Sequence, residues 1–124
     1  MVFKKLEDIE VWKRGCRLAV EIYKLTKVEE FNSDWGLRDQ VRRASVAIPS
    51  NIAEGFGRNT DAEFNRFLMI ARGSSMELKT QILIAHAINY IQENDADRMI
   101  DECDQIASMM TSLSKHLKKS SKLV

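Results

Sequence analysis

From Phe64 to Ala85 the chain places Phe64, Leu68, Ala71, Ser75, Leu78, Ile82 and Ala85 at spacings of three and four without a break. Such a pattern lines one face of about six consecutive helical turns. A strand, whose side chains alternate with period two, cannot use it. Little elsewhere interrupts a helix: one proline and five glycines stand in 124 residues, and aromatics make up only 7%. Leu, Ile, Ala, Met, Lys and Glu dominate, which favours helix over sheet. The fold class read from this is all-α.

Three other segments carry the same period. The first, about 6–26, has Ile9, Trp12, Cys16, Ala19 and Tyr23 on one face, widened by Val20 and Ile22. A polar break over 29–34 follows, in which Asn32 or Ser33 can cap the next helix. The second segment, about 34–56, runs Leu37, Val41, Ala44, Ile48, Ile52. Pro49 lies inside it, where a proline costs about 3 kcal/mol. The stripe keeps its phase across Pro49, so one helix kinked there is expected rather than two. Gly55 or Gly57 is expected to end it in a left-handed cap.

Thr60-Asp61-Ala62-Glu63 reads as a capping box opening the third helix, about 61–91. Asn94 or Asp95 can cap the fourth, about 96–117, with Met99, Ile100, Cys103, Ala107, Met110 and Leu113 on its face. A frayed basic tail over 118–122 is expected beyond it. The whole, 1–124, is read as a single domain, an antiparallel up-and-down four-helix bundle with the second helix kinked at Pro49.

The apolar surface exceeds what one bundle needs. Ile82-Leu83-Ile84-Ala85-His86-Ala87-Ile88 is apolar on every side but His86. Met69, Met76 and Leu83 lie off the main stripe, and Val46 and Ala53 lie nearly opposite the second helix's own. Extra apolar surface of this kind marks contacts, so a homo-oligomer is expected.

Charge narrows the function classes. The net charge of +1 excludes a strong global field toward nucleic acid or membrane, though not a local patch. No apolar run follows Met1–Asp8, so neither signal peptide nor membrane span is expected. Cys16 and Cys103 have no metal or redox spacing and fit a reducing cytoplasm. Residue 83, three before His86, and residue 113, three before His116, are leucines, so the Glu-x-x-His pairs of a metal-binding bundle are missing. Ser45, Ser50, Ser74 and Ser75 stand in no nucleophile motif. Gly55-Phe56-Gly57-Arg58 lacks the third glycine of a phosphate loop. No enzyme activity, cofactor or metal is therefore expected.

The cations are unevenly distributed. Between Val28 and Leu78 every one is arginine: Arg38, Arg42, Arg43, Arg58, Arg66 and Arg72. A guanidinium forks onto carboxylate or phosphate as lysine cannot. The same stretch holds Gln40, Asn51, Glu54 and Glu77. Arg42, Arg43, Asn51, Glu54, Arg58, Arg66, Arg72 and Glu77 are the candidate residues. They form either an Arg–carboxylate network joining helices or subunits, or a phosphate or RNA site. Lys115, Lys118, Lys119 and Lys122 offer a second, weaker nucleic-acid candidate.

Leu37-Arg38-Asp39-Gln40-Val41-Arg42-Arg43-Ala44 followed by Ser45-Val46-Ala47-Ile48-Pro49-Ser50-Asn51-Ile52-Ala53-Glu54-Gly55-Phe56-Gly57-Arg58 resembles the signature of four-helix bundle proteins encoded in intervening sequences of bacterial 23S rRNA genes. Phe64-Asn65-Arg66-Phe67-Leu68, Ala71-Arg72-Gly73-Ser74-Ser75, Glu77-Leu78 and the start Leu6-Glu7-Asp8-Ile9-Glu10-Val11-Trp12 are similar to its other blocks. The resemblance implies a bundle assembling as a ring-like homopentamer and singles out Gln40, Arg43, Asn51, Glu54, Arg58, Arg72 and Glu77. A related group, the accessory variability determinants of diversity-generating retroelements, binds a reverse transcriptase and nucleic acid. This chain is less basic. Two functions follow: an oligomeric accessory factor binding RNA or a nucleoprotein partner, or a structural adaptor with protein–protein contacts alone.

Overall fold

The computed structural model describes residues 3–122, with side chains through Lys119. Five α-helices and one short 3₁₀ turn make up the described chain, with no strand: α1 Glu10–Leu25, α2 Glu29–Ser33, α3 Trp35–Gly57, α4 Asp61–Ala87 and α5 Glu93–Lys122, preceded by the turn Leu6–Asp8. The first segment is thus split at Ile9, whose extended backbone (φ −88°, ψ 104°) turns the chain into α1.

The face of α1 is shifted from the expected one. Val11, Gly15, Leu18, Ala19 and Ile22 are buried, while Val20 and Tyr23 are exposed and Trp12 and Cys16 only half-buried. Gly15 explains the difference. It carries no apolar side chain, yet α3 packs directly against it: a Cβ on Gly15 would lie 3.3 Å from Ile48 Cγ2 and 3.4 Å from Pro49 Cδ.

The polar stretch before α3 is helical, not a loop. Phe31, 1% exposed, anchors α2 against Tyr90, ring centroids 5.4 Å apart. Five residues cannot nucleate a helix alone, but burying one phenylalanine contributes roughly 2–3 kcal/mol. Neither Asn32 nor Ser33 caps α3. Ser33 Oγ donates to Glu29 O at 2.8 Å, and Asn32 accepts from Arg38. The cap is Asp34, whose Oδ1 accepts from Leu37 N at 3.1 Å.

α3 buries Val41, Ala44, Ile48 and Ile52 as expected and continues unbroken through Pro49, itself buried. Neither glycine at its end is left-handed. Asn59 (φ 67°) takes that role, and Gly57 stays helical. Gly55 serves packing instead: a Cβ there would sit 2.6 Å from Phe67 Cβ. Thr60 Oγ1 accepts from Glu63 N at 3.2 Å, one arm of the expected box.

Every residue of the α4 stripe is buried. α4 ends four residues earlier than expected because Asn89 (φ 67°) closes it: Tyr90 N donates to Ala85 O and Asn89 N to His86 O, the paired bonds of a Schellman turn. α5 starts at Glu93, so Asn94 and Asp95 lie in its first turn rather than capping it. It also runs on to Lys122 where a frayed tail was expected, since Ser114 and Leu117 still pack inward.

Contacts between the four long helices run in reverse order. α1 meets α3 at Gly15–Ile48 and Thr26–Arg42. α3 meets α4 at Gly55–Phe67, with Asp34 and Tyr90 bonded at the other end. α4 meets α5 at Asn65–Ser114 and Ser75–Cys103, and α1 meets α5 at Arg14–Glu102 and Glu21–Arg98. Among the described residues no helix is long and apolar enough to cross a membrane.

Candidate functional site

The α3–α4 turn gathers three of the candidate residues, Glu54, Arg58 and Arg66, around Glu63 and Phe67. Arg58, at the C-cap of α3, donates to Glu54 Oε1 at 3.0 Å and lies 3.8 Å from Glu63. Arg66 donates to Glu63 at 2.8 Å and 3.3 Å. Both guanidiniums lie over the ring of Phe67, at 5.2 Å and 4.5 Å. The Arg66 hydrogen bond holds the Glu63 carboxyl below its ordinary range. Two arginines here thus have carboxylates and a ring as partners from their own chain.

Arg42 bridges helices without a carboxylate. Its Nε donates to Thr26 Oγ1 at 2.8 Å, and its guanidinium lies 4.7 Å from the centre of the Tyr23 ring. This contact fixes the end of α1 to α3 and explains why the exposed Tyr23 is held. Asn51 turns back on its own helix, donating to Ala47 O at 2.8 Å.

Arg43 and Arg72 are exposed and, among the described residues, make no hydrogen bond, ion pair or ring contact. Arg72 borders a shallow groove between α4 and α5 with Met76, Asp104 and Ser108. Glu77 is exposed and accepts from Gln81 Nε2 at 3.3 Å. Gln81 is only 6% exposed, and its Oε1 has no donor. Gln40 is exposed. The candidates therefore do not converge on one pocket. They divide into the turn cluster, the Arg42 bridge, two open arginines and the Glu77–Gln81 pair.

The polar ties between distant helices lie largely outside the arginine-only stretch. Arg14 forks onto both oxygens of Glu102 and donates to Gln105 at 2.7 Å, joining α1 to α5. Arg98 donates to Glu21 across the same interface, and Tyr90 Oη to Asp34 at 3.0 Å. No local sequence signal marks the first, since its partners lie 88 and 91 residues along the chain.

Cys103 is fully buried, and burial pushes its thiol up to about 12. Ser75 Oγ donates to Cys103 O and Ser45 Oγ to Arg42 O, so both hydroxyls are engaged in the interior. His86 Nδ1 lies 3.2 Å from Ile91 O. It borders an open cleft of about 600 Å³ with Val28, Glu29, Glu30, Tyr90 and Glu93. Among the described residues no group of three or more His, Cys, Asp or Glu is placed to hold a metal.

The apolar excess sits largely on the outer side of α4. Leu83, Ile84 and Ile88 are 48%, 49% and 45% exposed, and Met69 and Ile70 are exposed nearer the start of the same helix. Met76 and Ala53 are half-buried, while Val46 on α3 is exposed. Trp35, at the first position of α3, is the most open at 71%.

No curated protein matches the chain. A crystal structure of a protein of unknown function from the S23 ribosomal protein family of Bacteroides thetaiotaomicron superposes with a TM-score of 0.79 at 22% identity. The match covers 85% of this chain and 98% of that one, a likeness of fold. The family model described as 23S rRNA-intervening sequence protein matches residues 7–112. With the motifs about α3 and α4 inside that span, the chain belongs to the 23S rRNA-intervening sequence protein family.

Proposed function

We propose that this protein is a non-enzymatic, self-assembling adaptor: an up-and-down antiparallel four-helix bundle, with α3 bent at Pro49, that works through protein–protein contacts. The observation that carries this reading is the outer side of α4, where Met69, Ile70, Leu83, Ile84 and Ile88 stand exposed on one helix. Exposed apolar side chains in this number on one helix favour association. The family resemblance makes a homopentamer the expected size.

The competing reading, an accessory factor gripping RNA or a nucleoprotein partner, draws on Arg43 and Arg72. Against it, Arg58 and Arg66 already have carboxylate partners and Arg42 a hydroxyl and a ring. The net charge of +1 adds little attraction for phosphate.

One experiment separates the two. The double substitution Leu83→Glu, Ile84→Glu is introduced, and mass in solution and helix content are followed together. The adaptor reading expects smaller species with helix content retained. Unchanged mass refutes it. In parallel, binding to single-stranded and duplex RNA is titrated against salt. An affinity that falls steeply with salt and weakens in Arg43→Ala and Arg72→Ala overturns the adaptor reading in favour of RNA.

A further inference from the structure

We infer that the exposed side of α4 in one copy is covered by a second, different flank of the next copy, formed by α1 and α3 around Val20, Tyr23 and Val46. The inference rests on the self-assembly proposed above and names the surface that α4 meets.

The second flank is built on the contact between Tyr23 and Arg42. The Arg42 guanidinium lies 4.7 Å from the centre of the Tyr23 ring, and its Nε donates to Thr26 Oγ1. The same two helices meet again at Gly15 and Ile48. Going from the first contact to the second runs backward along α1 and forward along α3. Val20, one turn before Tyr23, and Val46, one turn after Arg42, are therefore displaced in the same direction along the bundle. Val20 is 54% exposed, Tyr23 41% and Val46 40%. Three apolar side chains from two helices thus stand open around one contact. α1 packs on α3 and α5, and so does α4. α1 and α4 accordingly stand at diagonal corners, and the two apolar surfaces face different ways.

Two surfaces on one chain decide how copies meet. An isologous pair, α4 on α4, covers one of them and leaves the other in water. Joining the α4 side of one copy to the α1–α3 flank of the next covers both. Charge agrees with that pairing. On the α4 side Glu77 is exposed and meets no cation among the described residues. On α1, Lys24, one turn after Val20, and Lys27 are exposed and meet no carboxylate among the described residues. With α1 and α4 at diagonal corners, a second copy is what brings these charges together, and opposite charges so placed fix the register of an interface. The heights match as well. Gly55 packs on Phe67 and Asp34 accepts from Tyr90, so Glu77 stands about level with Val46. Rotation about an axis along the bundle keeps every residue at its own height. Glu77 of one copy then arrives at the Val20–Val46 flank of its neighbour, and such a heterologous contact closes into a ring.

The test uses the full chain, sedimentation at several concentrations and helix content by circular dichroism. One variant carries Val20→Glu with Val46→Glu, the other Leu83→Glu with Ile84→Glu. All four side chains are exposed, so both variants are expected to keep their helix content. Each alone should associate at least tenfold more weakly than wild type, since two apolar contacts become charged. Each variant also keeps the flank that the other has lost. An equal mixture should therefore form a two-chain species holding one of each, which neither variant forms by itself. A Val20→Glu, Val46→Glu protein that assembles as wild type does overturns the inference and leaves self-assembly standing. A mixture that stays monomeric at the highest concentration, with each variant alone dissociated, does the same. A strictly monomeric wild type overturns both.

Discussion

Gly55 gives the sharpest test of how α3 and α4 meet. Replacing it by alanine places a Cβ 2.6 Å from Phe67 Cβ, 3.2 Å from Phe64 O and 3.3 Å from Phe64 Cα. None of these atoms can rotate away, because one is a Cβ and two are backbone of α4. Relief requires the helices to part at the turn. Overpacking of this kind costs about 1–3 kcal/mol, and rigid neighbours put Gly55 at the upper end. Alanine in a helix recovers about 1 kcal/mol of propensity over glycine. The net loss is about 2 kcal/mol, or about 8 °C in melting temperature for a chain of this size. Gly57 and Gly73 supply the control within the same two helices. A Cβ at either meets nothing within 4 Å, so Gly57→Ala and Gly73→Ala gain up to about 1 kcal/mol, the propensity difference alone. The assay is urea denaturation followed by circular dichroism at one fixed protein concentration, so that the proposed assembly contributes equally to every variant. The opposite signs are the prediction. A Gly55→Ala protein as stable as wild type would refute the reasoning, because the close approach of α3 to α4 would then not exist.

Other consequences follow from single residues. Arg14→Met leaves Glu102 without its partner at the α1–α5 interface. With both side chains about a quarter exposed, the expected loss is about 1 kcal/mol by urea denaturation. Asp34→Ala removes the α3 cap and should cost about 1–2 kcal/mol. The same change frees Tyr90, whose hydroxyl Asp34 holds above its ordinary pKa, so its ultraviolet titration should move down. Cys103 should resist thiol reagents in the native protein at pH 8 and react only on unfolding, whereas the less buried Cys16 reacts first. Its proton is held more tightly in the folded chain than in the unfolded one. The Cys103 contribution to stability is therefore intact below pH 9.0 and lost as pH climbs toward about 12. Cys103→Ala should flatten that stretch of the pH–stability curve.

The long stripes were legible because their residues signal burial by their own side chains. Leu68, Leu78 and Ile82 on α4, and Val41, Ile48 and Ile52 on α3, lie where period alone puts them. The phase of α1 was not legible, because part of its buried face against α3 is Gly15, which has no side chain to count. α2 escaped because its five residues are polar but for Phe31, and one buried ring has no period. The helix ends were missed for a conformational reason. Asn59 and Asn89, rather than glycine, take the left-handed positions, since asparagine tolerates them better than other residues with a Cβ. At the site, the i, i+4 pair Glu54–Arg58 was visible in the sequence. The Arg14 fork was not, because its partners lie 88 and 91 residues away. Gln81 drew no notice at all, since an orphaned amide oxygen exists only once its surroundings are packed.

Self-association is the claim on which the functional account turns, and the mass of the unmodified protein in solution tests it most directly. Light scattering across a concentration series should return a fixed multiple of the 14.3 kDa chain, five by family resemblance, that persists on dilution. A folded species of 14.3 kDa at the highest concentration reached would contradict it.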